Sequence, residues 1–216
     1  MNFIFDASLV LYLPLYTLDG DALMSRDAYG HLCTVVGAKW TPHGMLLDGN
    51  DDHCHVSDAP SLRCPDAVTV EAWVYPKSFT GENTILCKGA MGAGAGYAVC
   101  HSVNNDGKVR FIIAWGAWPD EVALDAAAAM KLDDWNHVAC TYDGTTMKIF
   151  WNAVADKNTA QPASYSTGTA MLRMGTNPGA GGSWYSGQIA EVRVYHRALS
   201  QLEIQHNYLA TKWRYR

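Results

Sequence analysis

Two polar turn sequences fix the kind of sheet this chain can form. Asn104-Asn105-Asp106-Gly107 and Asp143-Gly144-Thr145-Thr146 each separate two apolar runs. Asn, Asp and Gly tolerate the positive φ that a tight antiparallel hairpin requires. The first turn joins strands expected over 97–103 and 108–115, and the second joins strands over 137–142 and 147–152. Residues 68–75 (Val-Thr-Val-Glu-Ala-Trp-Val-Tyr) are β-branched and aromatic and stop at Pro76. Their period of two sets Val70, Ala72 and Val74 on one face and Thr69, Glu71, Trp73 and Tyr75 on the other. Further strands are expected over 84–88, 171–175 and 188–195, with the glycine-rich segment 89–96 joining the first of these to 97–103.

One helix carries its own start signal. Ser200 and Glu203 have capping-box spacing, and Leu199 and Ile204 stand where a hydrophobic staple forms, so a helix is predicted from Gln201 to about Leu209. Residues 125–130, with four consecutive alanines, read as a helical turn or a loop. No composition break marks a domain boundary and no solenoid or propeller period is present. The expectation is one all-β domain over 1–216, a jelly-roll sandwich of two antiparallel sheets with a short C-terminal helix.

Composition narrows the function. The net charge is −5, from 16 basic and 21 acidic residues, which argues against nucleic acid as a partner because phosphate neutralisation needs a basic surface. Only five of the acidic residues are Glu, whereas Asp is abundant, and Asp collects in turns and metal loops. The longest apolar run, 9–18, is short and broken by Pro14, so no membrane span is expected. The N-terminus lacks the basic region of a signal peptide, which suggests a virion-associated chain or a piece of a longer extracellular protein. Cys33, Cys54, Cys64, Cys87, Cys100 and Cys140 contain no CxxC pair. They read as small buried hydrophobes rather than a zinc site, although Cys87 and Cys100 lie on strands that would be neighbours.

Six segments, in order along the chain, resemble the laminin G-like branch of the concanavalin A-like lectin/glucanase superfamily. They are Leu9-Val10-Leu11-Tyr12-Leu13-Pro14-Leu15, Asp27-Ala28-Tyr29-Gly30-His31 and Leu47-Asp48-Gly49-Asn50-Asp51-Asp52-His53. The others are Val70-Glu71-Ala72-Trp73-Val74, the run Trp135 to Gly144 (W-N-H-V-A-C-T-Y-D-G), and the run Ala190 to Ser200 (A-E-V-R-V-Y-H-R-A-L-S). The resemblance implies a concave and a convex sheet, a glycan or cell-surface ligand, and in many members a structural Ca²⁺. By that resemblance Asp27 and the Gly30 carbonyl hold calcium, with the backbone of Ala190 contributing where the family usually has Asp. The alternative is that Asp27 bonds its own turn. Asp48, Asp51 and Asp52 form a second acidic cluster, which turn chemistry explains.

The superfamily also contains glycoside hydrolases. A retaining glycosidase needs two carboxylates about 5 Å apart, usually from one strand as E-x-D. None of Glu71, Glu82, Glu121, Glu191 and Glu203 is followed by Asp two residues later, and Glu71 reads as a buried hydrogen-bonding partner. No G-x-S-x-G, H-E-x-x-H or P-loop is present. His53 and His55 share a strand face, as metal ligands or as ordinary exposed polar residues. Sugar rings stack on aromatic faces, which points to two loops: Trp115, Trp118, Asp120 and Glu121 in one, and Trp184 and Tyr185 in the other. The alternative is that these aromatics cap the sandwich. A non-catalytic carbohydrate- or cell-surface-binding module is the leading expectation. A polysaccharide hydrolase or lyase, and an oligomeric virion or surface structural protein, stand as alternatives.

Overall fold

The computed structural model describes residues 3–17, 20–81, 83–89, 94–116, 120–161, 168–177 and 183–216. Among these are sixteen strands. They are β1 (Leu9–Pro14), β2 (Ala22–Met24), β3 (Leu32–Val36), β4 (Lys39–Thr41), β5 (Gly44–Asp48), β6 (His53–Val56), β7 (Val68–Pro76) and β8 (Thr84–Lys88). Then follow β9 (Gly96–His101), β10 (Lys108–Ala114), β11 (Glu121–Ala129), β12 (Asn136–Tyr142), β13 (Thr146–Trp151), β14 (Val154–Ala160), β15 (Leu172–Met174) and β16 (Ser186–Tyr195). Helix α1 spans Gln201–Thr211.

The strands form two eight-stranded antiparallel sheets. Sheet A has the order β14-β13-β12-β7-β16-β5-β4, with β1 also pairing with β16, and sheet B runs β11-β10-β9-β8-β15-β6-β3-β2. The expected hairpins form. Asn105 and Gly107 both take positive φ between β9 and β10, and Asp143 Oδ1 accepts the N–H groups of Thr145 and Thr146 between β12 and β13. The inner faces of the sheets share one core, to which β7 contributes Val70, Ala72 and Val74 as its alternation requires. All six cysteines are buried. Cys87 stands opposite Ala98 rather than Cys100.

Residues 125–130 differ from expectation. Asp125–Ala129 continue β11, antiparallel to β10. Alanine favours helix by propensity, yet Leu124 and Ala126 enter the core at strand spacing. The edge is sealed by Asp156 of β14, whose carboxylate accepts the Ala127 and Ala128 N–H groups. Tertiary pairing thus overrides a weak local preference.

The outer face of β7 is also buried, which alternation alone did not foretell. Helix α1 closes over it: Trp73 stacks on Tyr208 at 5.5 Å and donates Nε1–H to Thr211 Oγ1 at 2.9 Å. The capping box forms, with Ser200 Oγ accepting the Glu203 N–H and Glu203 accepting the Ser200 N–H. Leu199 and Ile204 meet in one small cluster. Ser200→Ala removes this cap and is expected to cost about 1 kcal/mol. Urea unfolding of the variant checks this value, and an unchanged midpoint would contradict the role given to the cap.

Candidate functional site

α1 and the N-terminal residues cover the outer face of sheet A, whereas the outer face of sheet B is partly exposed at Thr34, His55 and Arg173 and buried at Cys87, Ala98, Cys100 and Ile112. Register places one residue from each strand in a row across it. On one half are Ala22, Thr34, His55 and Arg173. On the other are Cys87, Ala98, Ile112 and Ala123. The alternation is sound, because the neighbours of these residues, such as Cys54, Val56, Leu172, Met174 and Phe111, enter the core. The central side chains Cys87, Ala98, Cys100 and Ile112 pack together as a small apolar floor.

The aromatic and polar groups of this face gather at one end. The ring of Trp184, half-buried, lies 5.9 Å from that of His53, which lies 5.7 Å from that of His55. His53 Nδ1 meets the Asp51 carbonyl at 3.0 Å. Arg173 stands directly opposite His55. The polar contact of its guanidinium is Met171 Sδ at 3.9 Å, and no described carboxylate pairs with it. Burial, then the positive charges of His53 and Arg173, hold His55 below the ordinary imidazole value. Its Nδ1 is buried without a partner.

The residues expected from sequence are divided rather than gathered. Trp115 donates its backbone N–H to the Asp120 carbonyl at 3.0 Å, and Glu121 faces Ala114. This turn therefore lies at the Gly96–Lys88 end of the sheet. Trp118 lies outside the described residues. Ser183 accepts the Thr84 N–H and Tyr185 donates to Gly175, which puts Trp184 at the other end. The two ends are separated by the five-residue length of β8, about 16 Å, so the two tryptophan loops do not make one site. Tyr185 is corrected outright. It is 0% exposed, with its ring against His101. Neighbouring residues of extended chain face opposite ways, so Trp184 points out and Tyr185 points in.

The calcium set does not assemble. Asp27 Oδ2 accepts the Tyr12 N–H, and Oδ1 accepts those of Tyr29 and Gly30. The Ala190 carbonyl accepts the Leu15 N–H and is buried. Backbone groups an odd number of residues apart point to opposite edges of a strand. Asp27 and Ala190 therefore lie on opposite edges of β1, about 10 Å apart along it. Asp27 holds its own turn, and these three residues do not fit a shared cation. Asp48, Asp51 and Asp52 do cluster, within 4.8 Å. Two of these carboxylates are engaged locally: Asp48 Oδ1 accepts the Asn50 N–H, and Asp52 Oδ2 accepts the Asp48 N–H.

Glu71 is a buried partner, as expected. Its Oε2 accepts from Asn207 at 2.7 Å and lies 3.7 Å from Arg193. Burial is the largest influence on it and lifts its pKa to about 7 against the pull of Arg193. Glu121 and Asp125 share the outer face of β11, but four residues of strand separate them by about 13 Å. That exceeds the carboxylate spacing of both retaining and inverting glycosidases. Asp125 is also held by Arg110 through bonds of 2.7 and 2.9 Å.

With this geometry fixed, the sequence relationships fall into place. Residues 48–205 match the laminin G-type family model of the concanavalin A-like lectin/glucanases superfamily. The chain belongs to this family. No curated protein matches the sequence at a significant level. Among solved structures, this laminin G-like domain is similar in fold to the binding domain of botulinum neurotoxin DC in complex with SialylT, with a TM-score of 0.72 at 12% identity, covering 94% of this chain and 52% of that one. It is similar also to the binding domain of Paraclostridial Mosquitocidal Protein 1, with a TM-score of 0.73 at 12% identity, covering 93% and 52%. The domain thus spans about half the length of these relatives, and at such identity the likeness is one of fold. Arg173 was missed by sequence reading. Its signal was a charge between two apolar residues of a short strand, Leu172 and Met174.

Proposed function

We propose that this laminin G-like domain is a non-catalytic, extracellular carbohydrate-binding module that binds at the outer face of sheet B. The carrying observation is the cluster of Trp184, His53, His55 and Arg173 on the partly exposed half of the sheet B face. A half-exposed indole offers a stacking surface for the apolar face of a sugar ring, and the imidazoles and guanidinium beside it supply hydrogen-bond donors for hydroxyls. The similar folds support the reading: one is a neurotoxin binding domain in complex with SialylT, and cell entry of botulinum neurotoxin type C depends on interaction with two ganglioside molecules. The wide separation of Glu121 from Asp125 weighs against the hydrolase alternative. Nothing favours the oligomeric structural alternative over binding.

A glycan array probed with the wild-type domain and with Trp184→Ala tests the proposal. The wild type is expected to select a set of glycans, and Trp184→Ala to weaken them at least tenfold, as loss of a central aromatic anchor does. Trp115→Ala, at the other end of the sheet, is expected to leave them within about twofold. Failure of the wild type to bind any glycan would overturn the proposal.

A further inference from the structure

The structure assigns the ligand's charge: we infer that the sheet B face takes an acidic sugar, bearing a carboxylate or a sulfate, whose anionic group pairs with the guanidinium of Arg173. This deepens the binding reading above and rests on it. Arg173 lies on β15, a central strand of the sheet, between Cys87 on β8 and His55 on β6. Arginine at such a position is ordinarily matched by a carboxylate, because a partly buried charge without one costs free energy. Here the other outward arginine of the sheet shows the ordinary arrangement, Arg110 being held in two-pronged fashion by Asp125. Among the described residues Arg173 has only the thioether of Met171.

The groups around it are imidazoles, which supply hydrogen-bond partners rather than charge. His55 faces it across the strands and His53 follows on the same face. The nearest acidic run, Asp48–Asp52, ends before β6 begins, and Asp48 and Asp52 bond backbone N–H groups of their own turn. Segments 162–167 and 178–182 contain no Asp or Glu in their sequence, and Asp19 and Glu82 lie outside the described residues. The whole chain carries a net charge of −5, so a guanidinium with no described carboxylate on it is a local departure from the overall field rather than part of it. A planar guanidinium presents two parallel donors that match the paired oxygens of a carboxylate or sulfate. Trp184, 5.9 Å from His53, supplies the adjoining ring surface.

The test uses an array of neutral, sialylated, uronate-containing and non-uronate sulfated glycans, probed with wild type, Arg173→Gln, Arg173→Lys and Trp184→Ala. Circular dichroism and melting temperature confirm that each variant folds. The expected result is selection of acidic glycans over their neutral counterparts. Binding should be weakened at least tenfold by Arg173→Gln, less by Arg173→Lys, and progressively by added salt. The sialylated, uronate and sulfated arms tell which acid is meant. Selection of neutral glycans with Arg173→Gln unchanged overturns this inference and leaves the binding reading standing. Acidic glycans bound equally by wild type and Arg173→Gln also overturn it. No binding to any glycan overturns both.

Discussion

Lowering the pH from 7 to 5 is expected to cost the domain about 2 kcal/mol of stability, and two buried histidines are the cause. His101 is 0% exposed, ringed by Phe79 and Tyr185, and neither of its nitrogens has a partner. His137 is likewise buried and unpartnered between Trp73 and Tyr208. Burial holds both at about 3, with the charge of Arg193 adding to the effect at His137. In the unfolded chain each takes up a proton near pH 6.5. Below that value the unfolded state therefore binds two protons that the folded state refuses, and stability falls as pH falls.

Glu71 acts in the opposite sense. Its folded pKa of about 7 exceeds its unfolded value, so the folded state gains a proton first and is stabilised as pH falls from 7 to about 4.5. Two histidines against one glutamate leave a net loss of roughly one proton, or about 1.4 kcal/mol per pH unit. Below pH 4.5 the Glu71 compensation ends. Asp6 is then held at about 2, chiefly by its hydrogen bond to Ser8, and Glu203 at about 2, chiefly by Arg197. Both contribute to further loss, and the slope steepens. Urea unfolding at pH 7, 6, 5 and 4 measures this curve. The double variant His101→Phe, His137→Phe is expected to reverse its sign between pH 7 and 5, becoming more stable on acidification because Glu71 then has the largest shift acting in that range. A wild-type curve flat from 7 to 5 would contradict the assignment.

Arg193→Met is expected to destabilise the domain by about 3–5 kcal/mol, lowering its melting temperature by about 10 °C. Arg193 is 1% exposed. Its guanidinium contacts Glu191 and Glu71 and lies over the ring of Phe3 at 4.2 Å. Removing it leaves two carboxylates in the interior with their main counter-charge gone, and an unpaired buried charge costs more than the pair contributes. The same network binds three parts of the chain. Asn207 of α1 donates to Glu71 and to Tyr195 Oη, and its Oδ1 accepts the Ile4 N–H. Adding Glu71→Gln to Arg193→Met is expected to recover part of the loss. Since Glu71 protonates near neutrality, the deficit of the single variant should also shrink as pH falls below 7. A melting temperature within 2 °C of wild type would show that the network is not what holds α1 and the N-terminal segment to sheet A.

Much of this molecule could be read from its residues, for identifiable reasons. The Asn-Asp-Gly turns, the alternation of 68–75 and the Ser200–Glu203 cap are local signals, each complete within a few residues, and the hairpins, β7 and α1 form accordingly. The family segments brought the sandwich. The differences concern partners distant in sequence, with one local exception at Trp184 and Tyr185. The alanines of 125–129 became strand because β10 and Asp156 satisfy them. Ala190 does not join Asp27 because the two meet opposite edges of β1, about 10 Å apart along it. Trp184 and Tyr185 were grouped as neighbours in sequence, yet adjacency in extended chain sends them to opposite faces. The candidate site itself needs His55, Arg173 and Cys87 in register. No window of sequence holds these three together.

The most direct test of the binding account is to map where a selected glycan touches the folded domain, by amide and indole chemical-shift changes on titration. Binding at the outer face of sheet B should move the Trp184 indole and the backbones of β6 and β15, around His53, His55 and Arg173, and leave α1 and the Trp115 turn unmoved. Shifts confined to α1 or to the Trp115–Glu121 turn would contradict the account, as would a titration that moves nothing.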